Sequence, residues 1–122
     1  MKAEFSVSFE GDHIKASSVG DKTVEFAERV WSEIAATCDR HSCYRVLGVA
    51  ESTTPMTPFE GYDHAKLFRN VGISDTHRIA WVELNPDALD TIRFIETVLT
   101  NRGFRVRAFS DVDEARAWLF DG

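Results

Sequence analysis

Short strand-like segments alternate with helix-like segments along most of this chain, and this alternation limits its fold more than any other feature of the sequence. Residues 4–10 alternate strictly between apolar and polar side chains, which is typical of a half-buried strand. Three further short apolar segments have the length of buried or half-buried strands, at residues 44–50, 77–84 and 104–109. Strands that alternate with helices predict parallel pairing and right-handed crossover connections.

Four segments between and after these strands carry apolar residues at helical spacing. The first is predicted at about residues 22–39, with Asp21 as its N-terminal cap. The second is predicted to begin at Thr57, whose hydroxyl precedes a proline and a glutamate, and to end at Gly72. The last two follow the capping segments Asn85-Pro86-Asp87 and Ser110 to Asp113.

The beginning of the chain predicts an antiparallel hairpin. Gly11 and Asp12 supply turn chemistry, and residues 13–19 continue as a second extended segment. The complete order is therefore β-β-α-β-α-β-α-β-α. The sequence predicts a single α/β domain over residues 1–122, with a mixed, mostly parallel five-stranded sheet.

The charge balance argues against two classes of partner. There are 14 basic and 20 acidic side chains, a net charge of −6, which gives no general attraction for nucleic acid or an anionic membrane surface. No apolar run approaches the roughly 20 residues that span a bilayer, and the first residues lack a signal-peptide core. The two cysteines are too few for a disulfide framework. We expect a cytoplasmic protein with reduced thiols.

The order of elements, together with the closing segment Phe-Ser-Asp-Val-Asp-Glu-Ala-Arg-Ala-Trp-Leu at residues 109–119, resembles the stage II sporulation protein AA-like family of STAS-type domains. The resemblance covers almost the whole chain. It implies a right-handed β-α superhelix with the helices largely on one face of the sheet. The same broad fold includes anti-sigma-factor antagonists and CRAL-TRIO lipid-transfer domains, so the resemblance implies two different functional precedents.

The antagonists of that family carry a phosphorylatable serine between the central strand and the next helix. The corresponding residues here are Glu51, Ser52, Thr53 and Thr54. Hydroxyl groups are present, but the aspartate and glycine of the family pattern are missing and prolines interrupt the segment. This departure weakens the implication of phosphoregulation.

Two groups of residues suggest catalytic or metal chemistry at first sight. Cys38, His41 and Cys43 have thiolate and imidazole ligands suited to zinc, but two buried thiols and a surface histidine explain them without metal. His64 and His77, with an aspartate before the first, are interpreted as solvated surface, because neighbouring residues on a helix point in different directions.

Nothing in the sequence predicts an enzyme. Ser52 lacks the Gly-x-Ser-x-Gly elbow of hydrolases, and neither a dinucleotide-binding nor a Walker-type glycine loop occurs. We therefore predict no catalytic residue, no metal and no cofactor. The three tryptophans, at positions 31, 81 and 118, fall at apolar positions of predicted elements and are assigned to the core.

Arg102, Arg105 and Arg107 form a local basic group that can bind a carboxylate or a phosphate. The alternative is a solvated strand face whose arginines pair with nearby acids. The net charge of −6 favours this second interpretation.

The leading functional hypothesis is a non-enzymatic regulatory or protein-interaction domain of STAS type. Its predicted partner surface is the connection at residues 51–58, with Glu51, Ser52, Thr53, Thr54 and Thr57 as the contacting side chains. Such a connection lies at the carboxyl end of a strand, where ligands of parallel sheets tend to bind. The alternative is a small-molecule or lipid-binding module, which requires an apolar cavity.

Overall fold

The computed structural model describes residues 3–21, 23–53 and 64–121. Its strands are β1 (Glu4–Phe9), β2 (Ile14–Gly20), β3 (Arg45–Ser52), β4 (Arg78–Glu83) and β5 (Arg105–Phe109). Its helices are α1 (Val24–His41), α2 (His64–Val71), α3 (Leu89–Asn101) and α4 (Val112–Leu119), with a short 3₁₀ turn at Pro86–Ala88 before α3.

The five strands lie side by side in their sequence order, which confirms the predicted α/β fold. β1 pairs with β2 antiparallel, and the other three pairings are parallel. Because each right-handed crossover moves one strand further in the same direction, α1, α2 and α3 lie on one face of the sheet. α4 follows the last strand and packs on the opposite face, against β3, β4 and β5. Three of the four described helices thus share one face.

The larger core lies under α1, α2 and α3. A row of buried residues crosses the sheet through Ile14, Val46, Ile79 and Val106, which are neighbours in the register of four adjacent strands. In the next row Gly48 is required, because an added Cβ atom would lie 2.0 Å from the ring of Trp81. The indole therefore lies directly on the backbone of β3.

The smaller core fills the space between α4 and the other face of the sheet. Its strand residues are Leu47, Ala80, Val82 and Phe109, and its helix residues are Ala115 and Leu119. The main contacts of α4 with the sheet are with β3, β4 and β5. The corresponding face of β1 and β2 carries small and polar side chains, among them Ser6, Ser8 and Lys15, which are exposed.

Two predicted helix caps are wrong by one or two residues. α1 is capped by Thr23, whose hydroxyl accepts a hydrogen bond from the Phe26 amide at 3.1 Å. The predicted cap, Asp21, instead accepts a hydrogen bond from Thr53. α4 is capped by Asp111, not Ser110, because the Asp111 carboxylate accepts from two first-turn amides.

The predicted glycine ends of the helices are confirmed. Gly72 follows α2 with φ +95° and Gly103 follows α3 with φ +92°, in the region that favours glycine. The predicted beginning of the second helix, at Thr57, lies outside the described residues. None of the described helices is long and apolar enough to cross a membrane.

Candidate functional site

The predicted partner surface begins at the carboxyl end of β3, and this strand runs further than the sequence suggested. Glu51 and Ser52 belong to β3 and Thr53 follows it, whereas we expected a loop from residue 51. Glu51 and Thr53 are exposed, but Ser52 is 5% exposed. Thr54 and Thr57 lie outside the described residues.

Ser52 is buried because it bonds to Glu83, the last residue of β4. The Ser52 hydroxyl donates to one carboxyl oxygen of Glu83 at 2.6 Å, and the Ser52 amide donates to the other at 3.0 Å. The amide of Asn85 donates to the second oxygen as well, at 3.2 Å. Glu83 is 1% exposed, so these three hydrogen bonds offset the cost of removing a carboxyl group from water.

Asn85 completes this network and joins it to the next helix. Its side-chain amide donates to the Ser52 carbonyl at 2.6 Å, while its side-chain oxygen accepts from the Asp87 amide at 3.0 Å. One residue therefore fixes the ends of β3 and β4 and begins the 3₁₀ turn before α3. Ser52, Glu83 and Asn85 together are called the carboxyl-end network below.

A second pair of contacts fixes the end of β2 to the same edge. The Thr53 hydroxyl donates to the Asp21 carboxylate at 2.5 Å, and the Thr53 amide donates to the Gly20 carbonyl at 3.0 Å. The carboxyl ends of β2, β3 and β4 are thereby tied together. The edge is a rigid platform built mostly from polar contacts.

Two exposed apolar side chains flank Glu51 on this platform. Val19 pairs with Glu51 across β2 and β3, and the Leu84 amide continues the ladder to β3 through the Ala50 carbonyl. Val19 is 43% exposed and Leu84 is 46% exposed. Val19, Glu51, Thr53 and Leu84 are called the carboxyl-end patch below.

The buried Ser52–Glu83 pair has the hydroxyl and carboxyl groups of a nucleophile and its base, but it is not placed for that chemistry. Both side chains are closed off from solvent, and the hydroxyl already donates to the carboxyl group. A nucleophile needs access to its substrate. The geometry is that of a structural link between two strands.

A small cavity lies between α2, α3 and strands β4 and β5. It is lined mainly by apolar side chains, among them Trp31, Phe68, Trp81, Ile95 and Leu99, and has a volume of about 30 Å³. Sites for small organic ligands have volumes of roughly 300 to 1,000 Å³. This cavity has room for a water-sized molecule, so it gives no support to the lipid-binding alternative.

The three arginines of the predicted anion patch do not act together. Arg105 and Arg107 extend from β5, the edge strand of the sheet, and both are exposed. Arg102 follows α3 and lines a separate groove with Arg69 and Asp75. Among the described residues, no carboxylate lies within ion-pair distance of these three arginines.

The register of the sheet instead gives Arg105 two neighbours that the sequence did not suggest. Arg45 pairs with Arg78, and Arg78 pairs with Arg105, so three arginines stand in one row across adjacent strands. They begin these strands, at the amino end of the sheet. The sequence did contain a sign of this row, since an arginine stands at or near the start of each of these three apolar segments.

The group Cys38, His41 and Cys43 has the burial expected from the sequence, except that Cys43 is only partly buried. Cys38 is buried in α1 and Cys43 is half-buried, both as free thiols, and His41 is exposed with its ring stacked on Phe9. Burial, with smaller contributions from Cys43 and Asp39, raises the pKa of the Cys38 thiol to about 12. The thiol form of Cys38 therefore predominates at neutral pH.

Two predicted surface histidines are buried, contrary to expectation. His64 begins α2 and is 3% exposed. His77 is also 3% exposed, accepts a hydrogen bond from the Ser74 amide at 3.2 Å and stands edge-on to the Tyr44 ring. Burial is the main cause that lowers the pKa of His77. The aspartate before His64 lies outside the described residues.

Two of the three tryptophans predicted to lie in the core are buried, and the third is half-buried. Trp31 and Trp81 are buried and lie against each other, with ring centroids 5.0 Å apart, as expected for core residues. Trp118 of α4 is half-buried. Its ring lies beneath the guanidinium group of Arg78, at 3.9 Å.

The residues that build the carboxyl-end network were missed except for Ser52. Glu83 had a signal in the sequence, since it is the one charged side chain between Ile79 and Leu84 in an otherwise apolar run.

No model of a known protein family matches the chain, and a search of curated proteins gives no significant match either.

Proposed function

We propose that this chain is a cytoplasmic, non-enzymatic regulatory or protein-interaction domain of STAS type, and that its partner binds at the carboxyl-end patch. The observation that carries the proposal is the exposure of Val19 and Leu84 on either side of Glu51. Exposed apolar side chains are common singly, but two on either side of one exposed residue at the same end of the sheet form a surface that a partner can cover.

The platform under the patch supports this proposal. Protein interfaces gain affinity when the contacting side chains are held before binding, because less conformational entropy is lost. The carboxyl-end network fixes the backbone beneath Glu51 and Thr53 through its hydrogen bonds to β4 and to Asn85. The contact between Thr53 and Asp21 adds a further link to β2.

The uncovered part of the sheet enlarges the patch. α4 leaves the adjoining face of β1 and β2 open, and a shallow depression of about 240 Å³ there includes Glu4, Ser6, Ser17 and Val19. Stable interfaces bury about 800 Å² on each partner. The patch and this open face share Val19, so together they form one surface of polar and apolar side chains, which suits a protein partner.

The experiment compares proteins captured by three forms of the chain. The wild type and a Val19→Ser/Leu84→Ser double variant are used as baits in lysate of the source cells, with bound proteins identified by mass spectrometry. Phe9→Ser is the matched control, because it removes an apolar side chain of 37% exposure at the other end of β1.

A partner that binds the wild type and the control, but is lost from the double variant, supports the proposal. We expect the purified partner to bind the double variant at least about tenfold more weakly, since about 1.4 kcal/mol corresponds to a factor of ten. Circular dichroism and a melting curve must show that the double variant is folded. Equal capture by all three forms would refute the assignment of the surface.

A further inference from the structure

A row of basic side chains lies at the end of the sheet opposite the carboxyl-end patch. Arg45, Arg78 and Arg105 are direct neighbours in the register of β3, β4 and β5. His13, directly before β2, extends the row by one position, since it precedes Ile14 as Arg45 precedes the paired Val46. These four residues are called the amino-end row. Neighbouring strands are about 4.8 Å apart, so adjacent side chains of the row can contact one small anion.

Aromatic rings at the end of α4 hold the row in place. The guanidinium group of Arg78 lies on the Trp118 ring at 3.9 Å and donates a hydrogen bond to the Trp118 carbonyl at 2.6 Å. Arg45 lies over the Phe120 ring at 5.5 Å, and the His13 ring stands edge-on to Phe120 at 5.6 Å. Cations on aromatic faces are attracted by the ring quadrupole, so the side chains are oriented before any ligand arrives.

The row is short of negative charge. Within residues 3–21, 23–53 and 64–121, no carboxylate lies within ion-pair distance of the three arginines, although the whole chain has a net charge of −6. His13 contacts one carboxylate, through Nδ1 to Asp12 at 2.6 Å. Burial first, and then the charges of Arg105 and Arg45, lower the pKa of Arg78, while Asp121 acts in the opposite direction.

One donor in the row is buried and has no acceptor among the described residues. It is Nε of Arg78. Nε2 of His13, a residue that is 4% exposed, is also buried without a partner among the described residues, but in the neutral ring this atom is an acceptor, because Nδ1 carries the hydrogen that bonds to Asp12. Buried polar groups in proteins are nearly always hydrogen-bonded, so an unpaired N–H donor within a row of three guanidinium groups indicates a ligand with acceptor oxygens.

We propose that the amino-end row binds a phosphate group. Guanidinium groups present paired N–H donors that match two oxygens of a phosphate, and a dianion balances several cations better than a carboxylate does. The phosphate can belong to a small metabolite or to a phosphorylated side chain of a protein, because the row recognises the same oxygens in both. This proposal is independent of the partner surface at the carboxyl end.

The test is a titration of the ¹⁵N-labelled protein with inorganic phosphate at constant ionic strength, so that general screening does not change. The indole N–H signal of Trp118 reports on the site, since that ring lies against Arg78. We expect a saturable shift with phosphate and a much smaller one with the same concentration of acetate. Absence of a saturable shift would overturn the proposal.

A pair of matched variants locates the binding. Arg105→Gln removes an exposed guanidinium group from the row without disturbing the contacts of Arg78 with Trp118. Arg102→Gln removes an exposed arginine of the separate groove, with the same change of net charge. We expect phosphate affinity to fall about tenfold in Arg105→Gln and to stay within twofold in Arg102→Gln. Equal losses in both variants would show general electrostatic attraction and overturn the proposal.

Two probes then distinguish the sources of the phosphate. Phenyl phosphate represents a small metabolite, and a short phosphoserine peptide represents a modified protein. A peptide that binds more tightly than inorganic phosphate indicates a phosphoprotein, and equal affinities indicate a small molecule; both results uphold the site. The Val19→Ser/Leu84→Ser variant is expected to bind phosphate normally, so failure of the partner surface leaves this result unaffected.

Discussion

At the carboxyl end of the sheet the buried carboxyl group of Glu83 accepts hydrogen bonds from Ser52 and Asn85, whereas at the amino end Arg78 keeps a buried Nε–H donor that has no acceptor among the described residues. Both ends remove polar groups from water, and in both the cost of doing so must be offset. At the carboxyl end the protein supplies every partner itself. At the amino end the described residues leave part of the hydrogen-bonding capacity open.

This difference indicates that the carboxyl-end network is structural and that the amino-end row is suited to binding a ligand. A fully satisfied network lowers the energy of the folded chain and fixes one arrangement of the strands. An unsatisfied cluster of like charges lowers stability, and an external anion can restore it. Substitutions at the two ends should therefore have opposite consequences for stability.

The largest effect is expected for Glu83→Ala. The change leaves the Ser52 hydroxyl and two backbone amides without their acceptor in a buried position, at about 1 to 3 kcal/mol for each strongly unsatisfied group. We expect a loss of about 3 to 5 kcal/mol in the free energy of unfolding, measured by urea denaturation. Glu83→Gln keeps one acceptor oxygen and should lose less. A wild-type midpoint for Glu83→Ala would contradict the structural role of the network.

A smaller loss is expected for Ser52→Ala. This substitution removes the 2.6 Å hydrogen bond to Glu83 but keeps the backbone contact of residue 52, so about 1 to 2 kcal/mol of stability should be lost. Thr53→Ala is the matched control, because it removes the neighbouring hydroxyl at an exposed position, where about 0.5 kcal/mol is the usual limit. Equal losses in the two variants would show that burial of the Ser52 pair does not matter.

His77, directly before β4 at the amino end of the sheet, should make the stability of the protein sensitive to acid. Because burial lowers the pKa of His77 below its ordinary value of 6.5, the unfolded chain binds a proton that the native chain does not. The contribution of His77 is complete above pH 6.5 and is lost as the pH falls through its lowered native pKa. Urea midpoints between pH 7.5 and 5 should show a shallower decline in His77→Gln than in wild type. The control is His41→Gln, an exposed histidine; a decline altered equally by both variants would contradict the assignment.

The smallest effect on stability is expected for Arg105→Gln. The arginine is exposed and has no carboxylate partner among the described residues, and its charge repels that of Arg78. Its removal should leave the free energy of unfolding within about 0.5 kcal/mol of wild type, or raise it slightly. Thermal melting in low salt measures the change, and higher salt should abolish any gain. A clear loss of stability would show that the row is satisfied in the folded protein.

The sequence alone was sufficient for most of the fold. Apolar residues of period two marked β1, and those of helical period marked α1 and α3 with their buried stripes, including Ile92, Ile95 and Leu99. Helix ends at Gly72 and Gly103 followed from the left-handed conformation that glycine adopts easily. These features depend on residues a few positions apart, so local patterns contain them. The caps at Thr23 and Asp111 were missed because several neighbouring residues had suitable side chains.

Only the tertiary structure decided which side chains meet at the two ends of the sheet. Ser52 and Glu83 are 31 positions apart, and nothing near either residue indicates the other. Arg45, Arg78 and Arg105 likewise come together through the register of three strands, while the neighbouring Arg102 is separated from them by the turn before β5. Register is set by packing across the whole sheet, and a shift of one residue would turn each side chain to the other face. Periodicity therefore determined the elements of this protein, and the pairing of distant strands determined its two polar clusters.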